Sequence, residues 1–163
     1  MPSTTLQGTL PHHYFFGFRR SELDELFDQL ESPAEGELVG IYPGALFAIK
    51  LIDSIPFVRR VLYWILDTFL IPWTGKRFDG ESGANVWFTG SGRFTFGEYD
   101  IVQAPGTDIP LRLNYDVDQN WGLLRPIRGE VKKVSDCDYL ARMLYQTKKR
   151  TYTVAYFTLR QGS

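Results

Sequence analysis

From Gly75 to Arg160 polar and apolar residues alternate with a period of two, in short runs separated by turn-forming residues. Side chains along a strand point to opposite faces in turn, so this pattern suits half-buried strands. It does not suit helices, whose apolar positions recur every three or four residues. The runs predict strands over 75–79, 84–89, 93–103, 110–117, 127–134, 139–147 and 151–160. Asp79-Gly80, Gly90-Ser91-Gly92, Pro105-Gly106, Asp118-Gln119-Asn120 and Lys148-Lys149 punctuate them. Residues 37–49 predict one more strand upstream, with Gly40 and Gly44 permitting a bend or a close backbone approach. Connections this short imply antiparallel neighbours, and about eight strands suffice to close a barrel around one small ligand. The expected fold is therefore mainly β: a single barrel domain spanning the 163 residues.

The N-terminal third reads differently. Residues 1–19 form an irregular arm rich in aromatic residues, from Tyr14 to Phe18, expected to pack across a barrel end or against a partner. Leu23, Leu26, Phe27 and Leu30 make one apolar stripe at helical spacing, with Ser21 as the expected N-cap and Ser32-Pro33 as the stop. Residues 55–71 are almost wholly apolar but contain Arg59, Arg60 and Asp67. Three charges argue against a membrane span. The expected element is a helix capping the barrel; its rival is an interfacial helix giving peripheral membrane contact.

A helix, then a strand with a Gly-x-aromatic-x-Gly motif, then an antiparallel meander resembles the lipocalin-like barrels of the calycin group. Two motifs also resemble the GXWXG family of small bacterial proteins. They are Gly40-Ile41-Tyr42-Pro43-Gly44, with Tyr42 at the tryptophan position, and Trp73-Thr74-Gly75-Lys76-Arg77-Phe78. The resemblance implies a small barrel with an internal cavity and carries no activity with it.

Composition narrows the chemistry. Eighteen basic and 19 acidic residues leave a net charge of −1, without the basic excess that nucleic-acid binding requires. Lys148-Lys149-Arg150 lies between two strand-like runs and reads as a charged hairpin tip. The single cysteine, Cys137, permits no internal disulfide, and its neighbours Asp136 and Asp138 would not activate it as a nucleophile. No secretory signal pattern precedes the barrel, so a cytoplasmic chain is expected. His12 and His13 are the only histidines; adjacent residues rarely converge on one metal, a haem would have only these two as axial histidine candidates, and they read as a surface or end-packing pair, so no metal or other cofactor is expected. Gly90-Ser91-Gly92 precedes a strand rather than a helix and is a turn, not a phosphate loop. There is no Gly-x-Ser-x-Gly elbow. Without a usable histidine, any acid–base group would be Glu, Asp, Tyr or Lys.

What remains is polar residues set among apolar strands. Arg77, Arg112, Asn114 and Arg142 are candidates to enter the lumen, where a charge must be paired or meet a complementary ligand group. Arg142 stands alone in an apolar run, whereas Arg112 and Asn114 also fit an ordinary solvent face, and Arg128 with Glu130 a surface ion pair. Tyr42, Trp87, Tyr99, Tyr145 and Tyr156 are candidate pocket walls. The leading expectation is a module that binds a small hydrophobic molecule, with Arg or Tyr groups fixing its polar end. The alternative is a cofactor-independent cyclase or isomerase acting on a polyketide- or terpenoid-like substrate in the same cavity.

Overall fold

A computed structural model describes residues 12–47, 73–104, 106 and 108–162. The expected helix over 55–71 lies outside the described residues. Eight antiparallel strands form one closed barrel: β1 (Val39–Phe47), β2 (Trp73–Asp79), β3 (Ser82–Trp87), β4 (Thr95–Val102), β5 (Leu111–Asn114), β6 (Ile127–Lys133), β7 (Asp138–Gln146) and β8 (Thr151–Arg160). Each strand pairs with its sequence neighbour, and β1 closes on β8 with Gly44 opposite Leu159 and Phe47 opposite Tyr156. This is the general lipocalin-like arrangement. Lys148, Lys149 and Arg150 sit exposed at the β7–β8 turn, tied by the Thr147 hydroxyl accepting from the Lys149 and Arg150 amides. Among the described residues, no helix is long and apolar enough to cross a membrane.

The two sequence motifs are neighbours in the sheet. Tyr42 pairs with Lys76, Pro43 with Gly75 and Gly40 with Phe78. Backbone contact explains two of the glycines: a Cβ on Gly75 would fall 2.1 Å from the Tyr42 carbonyl oxygen. One on Gly44 would fall 2.5 Å from the Trp73 ring, so a small residue lets the indole lie against β1.

The helix α1 (Arg20–Gln29) starts one residue before the expected boundary. Its N-cap is Arg19 rather than Ser21, and the Arg19 amide donates to the Glu22 carboxylate at 2.6 Å, the reciprocal half of a capping box. Leu23 and Phe27 are fully buried and, with Leu30, pack on the outside of the barrel against Val134, Leu140, Tyr156 and Phe47. The arm contributes a 3₁₀ turn, His12–Gly17, whose Phe15 joins this outer cluster and stacks 6.2 Å from Phe47. The described part of the arm thus packs on the barrel wall beside α1, where an apolar stripe gives it a surface to bury against; residues 1–11 lie outside the described residues.

Beneath α1 runs one cross-strand row: Arg112 opposite Glu130, Glu130 opposite Arg142, Arg142 opposite Tyr156. Glu130 accepts from Arg142 Nε at 2.8 Å and lies 3.5 Å from Arg112 Nε. The Arg142 guanidinium also lies 4.3 Å from the Phe27 ring centroid, and the Tyr156 hydroxyl bonds the Asp24 carboxylate on α1. Burial works against the Arg142 charge, but the Glu130 hydrogen bond and charge outweigh it and raise its pKa. Removing one partner of such a pair strands the other. Glu130→Ala is therefore expected to destabilise the protein by about 2–4 kcal/mol in urea unfolding, somewhat below the cost of a fully buried pair because Arg142 keeps some solvent contact. A loss under about 0.5 kcal/mol, the level of a plain surface change, would show that this row does not hold the helix down.

Candidate functional site

The barrel interior has two unequal halves. At the lower end, where β1 begins, Tyr42, Phe78, Tyr99 and Tyr139 interlock edge-on. Tyr42 lies 5.3 Å from Phe78 and 5.7 Å from Tyr139, and Phe78 lies 5.9 Å from Tyr99. These rings are all about 1% exposed and pack against one another through that half. Their hydroxyls are satisfied at the rim: Tyr139 donates to Glu37 at 2.8 Å and Tyr99 to the Arg77 carbonyl at 3.0 Å.

At the upper end, where β1 finishes and β2 begins, the interior holds a cavity of about 100 Å³. Its walls are largely apolar: Leu46, Trp73, Trp87, Ile127, Met143 and Phe157, with Leu124, the glycines Gly97 and Gly129, and Arg128 beside them. Trp87 is fixed by its indole N–H donating to the Phe96 carbonyl at 2.9 Å. Two larger depressions, of about 180 and 600 Å³, lie on the outer face of β2–β4 and on the lower rim. Arg77, Asp79, Glu98 and Asp100 line the first; Glu35, Glu81 and Asp100 the second. Such polar, solvent-facing hollows lack the apolar enclosure of a small-molecule site.

The upper cavity has one polar cluster. Lys76, Asn85 and Tyr115 all line it. Lys76 Nζ donates to Asn85 Oδ1 at 2.6 Å and bonds the Tyr115 hydroxyl, which itself donates to Asn85 Oδ1 at 3.2 Å. The rings of Tyr99, Tyr115 and Phe157 surround the amine at 4.9, 5.2 and 5.3 Å from their centroids. Lys76 is 3% exposed and makes no ion pair among the described residues. The rings and the neutral oxygens help the ammonium, but they do not replace bulk water. Burial lowers the Lys76 pKa to about 7, so near neutrality the amine is divided between both forms. Burial also raises the Tyr115 pKa, so its hydroxyl stays protonated.

The eight residues expected from sequence to hold a ligand divide by face. Tyr42 and Tyr145 belong to the interior cluster, and Trp87 lines the cavity. Arg77 faces outward and pairs with Asp79 at 2.8 Å. Asn114 shares its row with Asp100 and Arg128 on the outer surface, and accepts from the Asp116 amide. Arg112, Arg142 and Tyr156 form the row beneath α1, outside the lumen. The three candidate arginines therefore do not converge in the interior; among the described residues the buried amine lining the cavity is Lys76, and Arg128 also lines it. Alternation contained the signal for it: Lys76 shares a strand face with Phe78, so burying one buries the other. Glu130 and Arg128 do not pair with each other; Arg128 donates to the carbonyls of Arg125 and Ile127. Among the described residues, no group of three or more potential metal ligands converges.

A crystal structure of a protein from Thermomonospora curvata is similar in fold, with 21% sequence identity and a TM-score of 0.58. The match covers 90% of this chain and 89% of that one. No family model and no curated protein matches the chain.

The buried amine makes stability depend on pH. Between its folded pKa of about 7 and the ordinary lysine value of 10.5, the unfolded chain binds the extra proton, so folding gains stability as pH rises through that window. Below pH 7 both states are protonated and the penalty is constant. Replacing Lys76 with Met removes it, so Lys76→Met is expected to be more stable than the wild type below pH 7. That advantage should shrink by about 1.4 kcal/mol per pH unit above 7. Urea midpoints from pH 6 to 10 measure it; a difference that stays flat with pH would mean that Lys76 is not titrating in the fold.

Proposed function

We propose that this protein binds a small, largely apolar molecule in the upper cavity and fixes its polar end on Lys76, Asn85 and Tyr115. The observation that supports this most directly is the juxtaposition of an apolar-walled void with one buried, hydrogen-bonded amine that has no carboxylate partner among the described residues. A purely structural core would gain stability by replacing such a lysine with a hydrophobic residue, because desolvating an amine costs several kcal/mol that its hydrogen bonds only partly return. Retaining it makes sense where it meets an electron-rich group. The binding role expected from sequence is kept, with its polar anchor moved from arginine to lysine. The barrel fold is compatible with the calycin-type reading, in which the lumen is the binding site.

Cavity size limits the ligand. A void of 150 Å³ is known to take benzene, so about 100 Å³ has room for roughly four or five non-hydrogen atoms. That favours a small ligand in this conformation over a polyketide- or terpenoid-sized substrate, which would need the walls to part. Cyclase or isomerase chemistry therefore stands as the second reading, favoured only if a larger molecule enters.

Four-carbon fragments give the test. Titration of isotope-labelled protein with butanol is expected to shift methyl resonances of Leu46, Ile127 and Met143 and to leave those of Leu23 and Val134, in the cluster at α1, unmoved. Met143→Trp, which fills the void, should abolish the shifts while circular dichroism shows the barrel intact. Fragments that move only surface resonances, or that bind the filled variant equally well, count against the cavity as the site.

A further inference from the structure

We infer that Lys76 captures its ligand covalently, as a reversible imine with a small aldehyde or ketone. This rests on the binding reading above and specifies its ligand class. An imine-forming lysine needs three things: a free electron pair on nitrogen, an enclosed site for the carbonyl compound, and a hydroxyl close enough to move protons.

The electron pair comes from the surroundings of Nζ. From β1 the group opposite Lys76 is Tyr42, from β3 it is Asn85, from β4 Tyr99, and Tyr115 follows β5. None of these carries a negative charge near neutrality, so among the described residues no anion holds the amine permanently as ammonium. A lysine kept for structure is met instead on this same chain at Lys133, which pairs with Glu37 at 2.9 Å and has its pKa raised by that bond. Lys76 is the opposite case: buried, hydrogen-bonded to uncharged partners among the described residues, and lining a largely apolar cavity. A carboxylate ligand would demand the ammonium and would bring a second charge out of water; a carbonyl compound enters neutral and meets a neutral amine.

The chemistry balances without any co-reactant. The Nζ electron pair attacks the carbonyl carbon, a C–N bond forms, and a proton passes from nitrogen to the carbonyl oxygen, giving the carbinolamine. The C–O bond then breaks, the oxygen leaves as water with the second proton from nitrogen, and the C=N bond forms; hydrolysis reverses both steps. The Tyr115 hydroxyl, bonded to both Nζ and Asn85, is the relay within reach for these transfers.

Butanal and sodium cyanoborohydride test this directly on the intact protein, because hydride reduction turns any imine into a stable secondary amine. At pH 7.5 peptide mapping should find the butyl group on Lys76 at least about tenfold sooner than on Lys148 and Lys149 at the exposed hairpin. Lys76→Met should lose that adduct alone among the six lysines. Butanol and butanoate, which form no imine, are followed in parallel by the same methyl resonances. If butanol shifts the cavity resonances but butanal labels Lys76 no faster than the hairpin lysines, covalent capture is overturned and the binding site survives. If butanoate binds and butanal leaves Lys76 unlabelled, the amine is a carboxylate anchor and the inference again falls. If no fragment reaches the cavity and Lys76 stays unlabelled, both readings fail together.

Discussion

The ladder between β1 and β8 decides where every other side chain of this protein goes. By joining the first strand to the last, it removes both sheet edges and converts two faces into an inside and an outside. Along each strand, neighbours then have opposite fates. Arg142 is held against Glu130 and the Phe27 ring on the wall, while Ala141 and Met143 beside it face inward. Phe47 packs under the arm, while Leu46 lines the cavity.

This division lets the two faces serve different ends. The outer wall carries the charged network, where acids on α1 and β6 compensate each arginine and some solvent screens what remains. Among the described residues the interior is largely uncharged and spends its volume on aromatic rings in the lower half. Burying each large apolar side chain contributes about 1.5–3 kcal/mol, so this packed half supplies stability that an uncompensated amine above it draws down. The cavity and the lysine are thus two departures from good packing in one place, at the level of the same strands. Natural folds tend to depart from local rules in this way where they bind or react.

Much of the architecture was legible in the chain. Period-two runs and their turn residues placed strands near all eight observed positions, because alternation and turn chemistry are local properties of backbone and side chain. The apolar stripe of α1 was legible for the same reason, although its start was not: the capping carboxylate is Glu22, which reaches back to Arg19, and the serine at 21 suggested a later boundary. The site was much less legible. The polar residues that looked anomalous, Arg112 and Arg142, are explained by a helix lying over them. The residue that is anomalous in space, Lys76, sits between Gly75 and Arg77 in a run that looks like an ordinary amphipathic strand.

By itself, then, the amino-acid order determined which residues share a face, but not which face is inside. Parity within a strand is fixed by the pleat; its absolute sense depends on what covers each side, and that is a matter of contacts between residues far apart in sequence. Here the covering was done by α1, over a hundred residues from the β7 row it shields, and by the closure that brings Tyr156 beside Phe47. Only the assembled barrel could set Lys76 among Asn85, Tyr99 and Tyr115, since each comes from a different stretch of chain and nothing local links them.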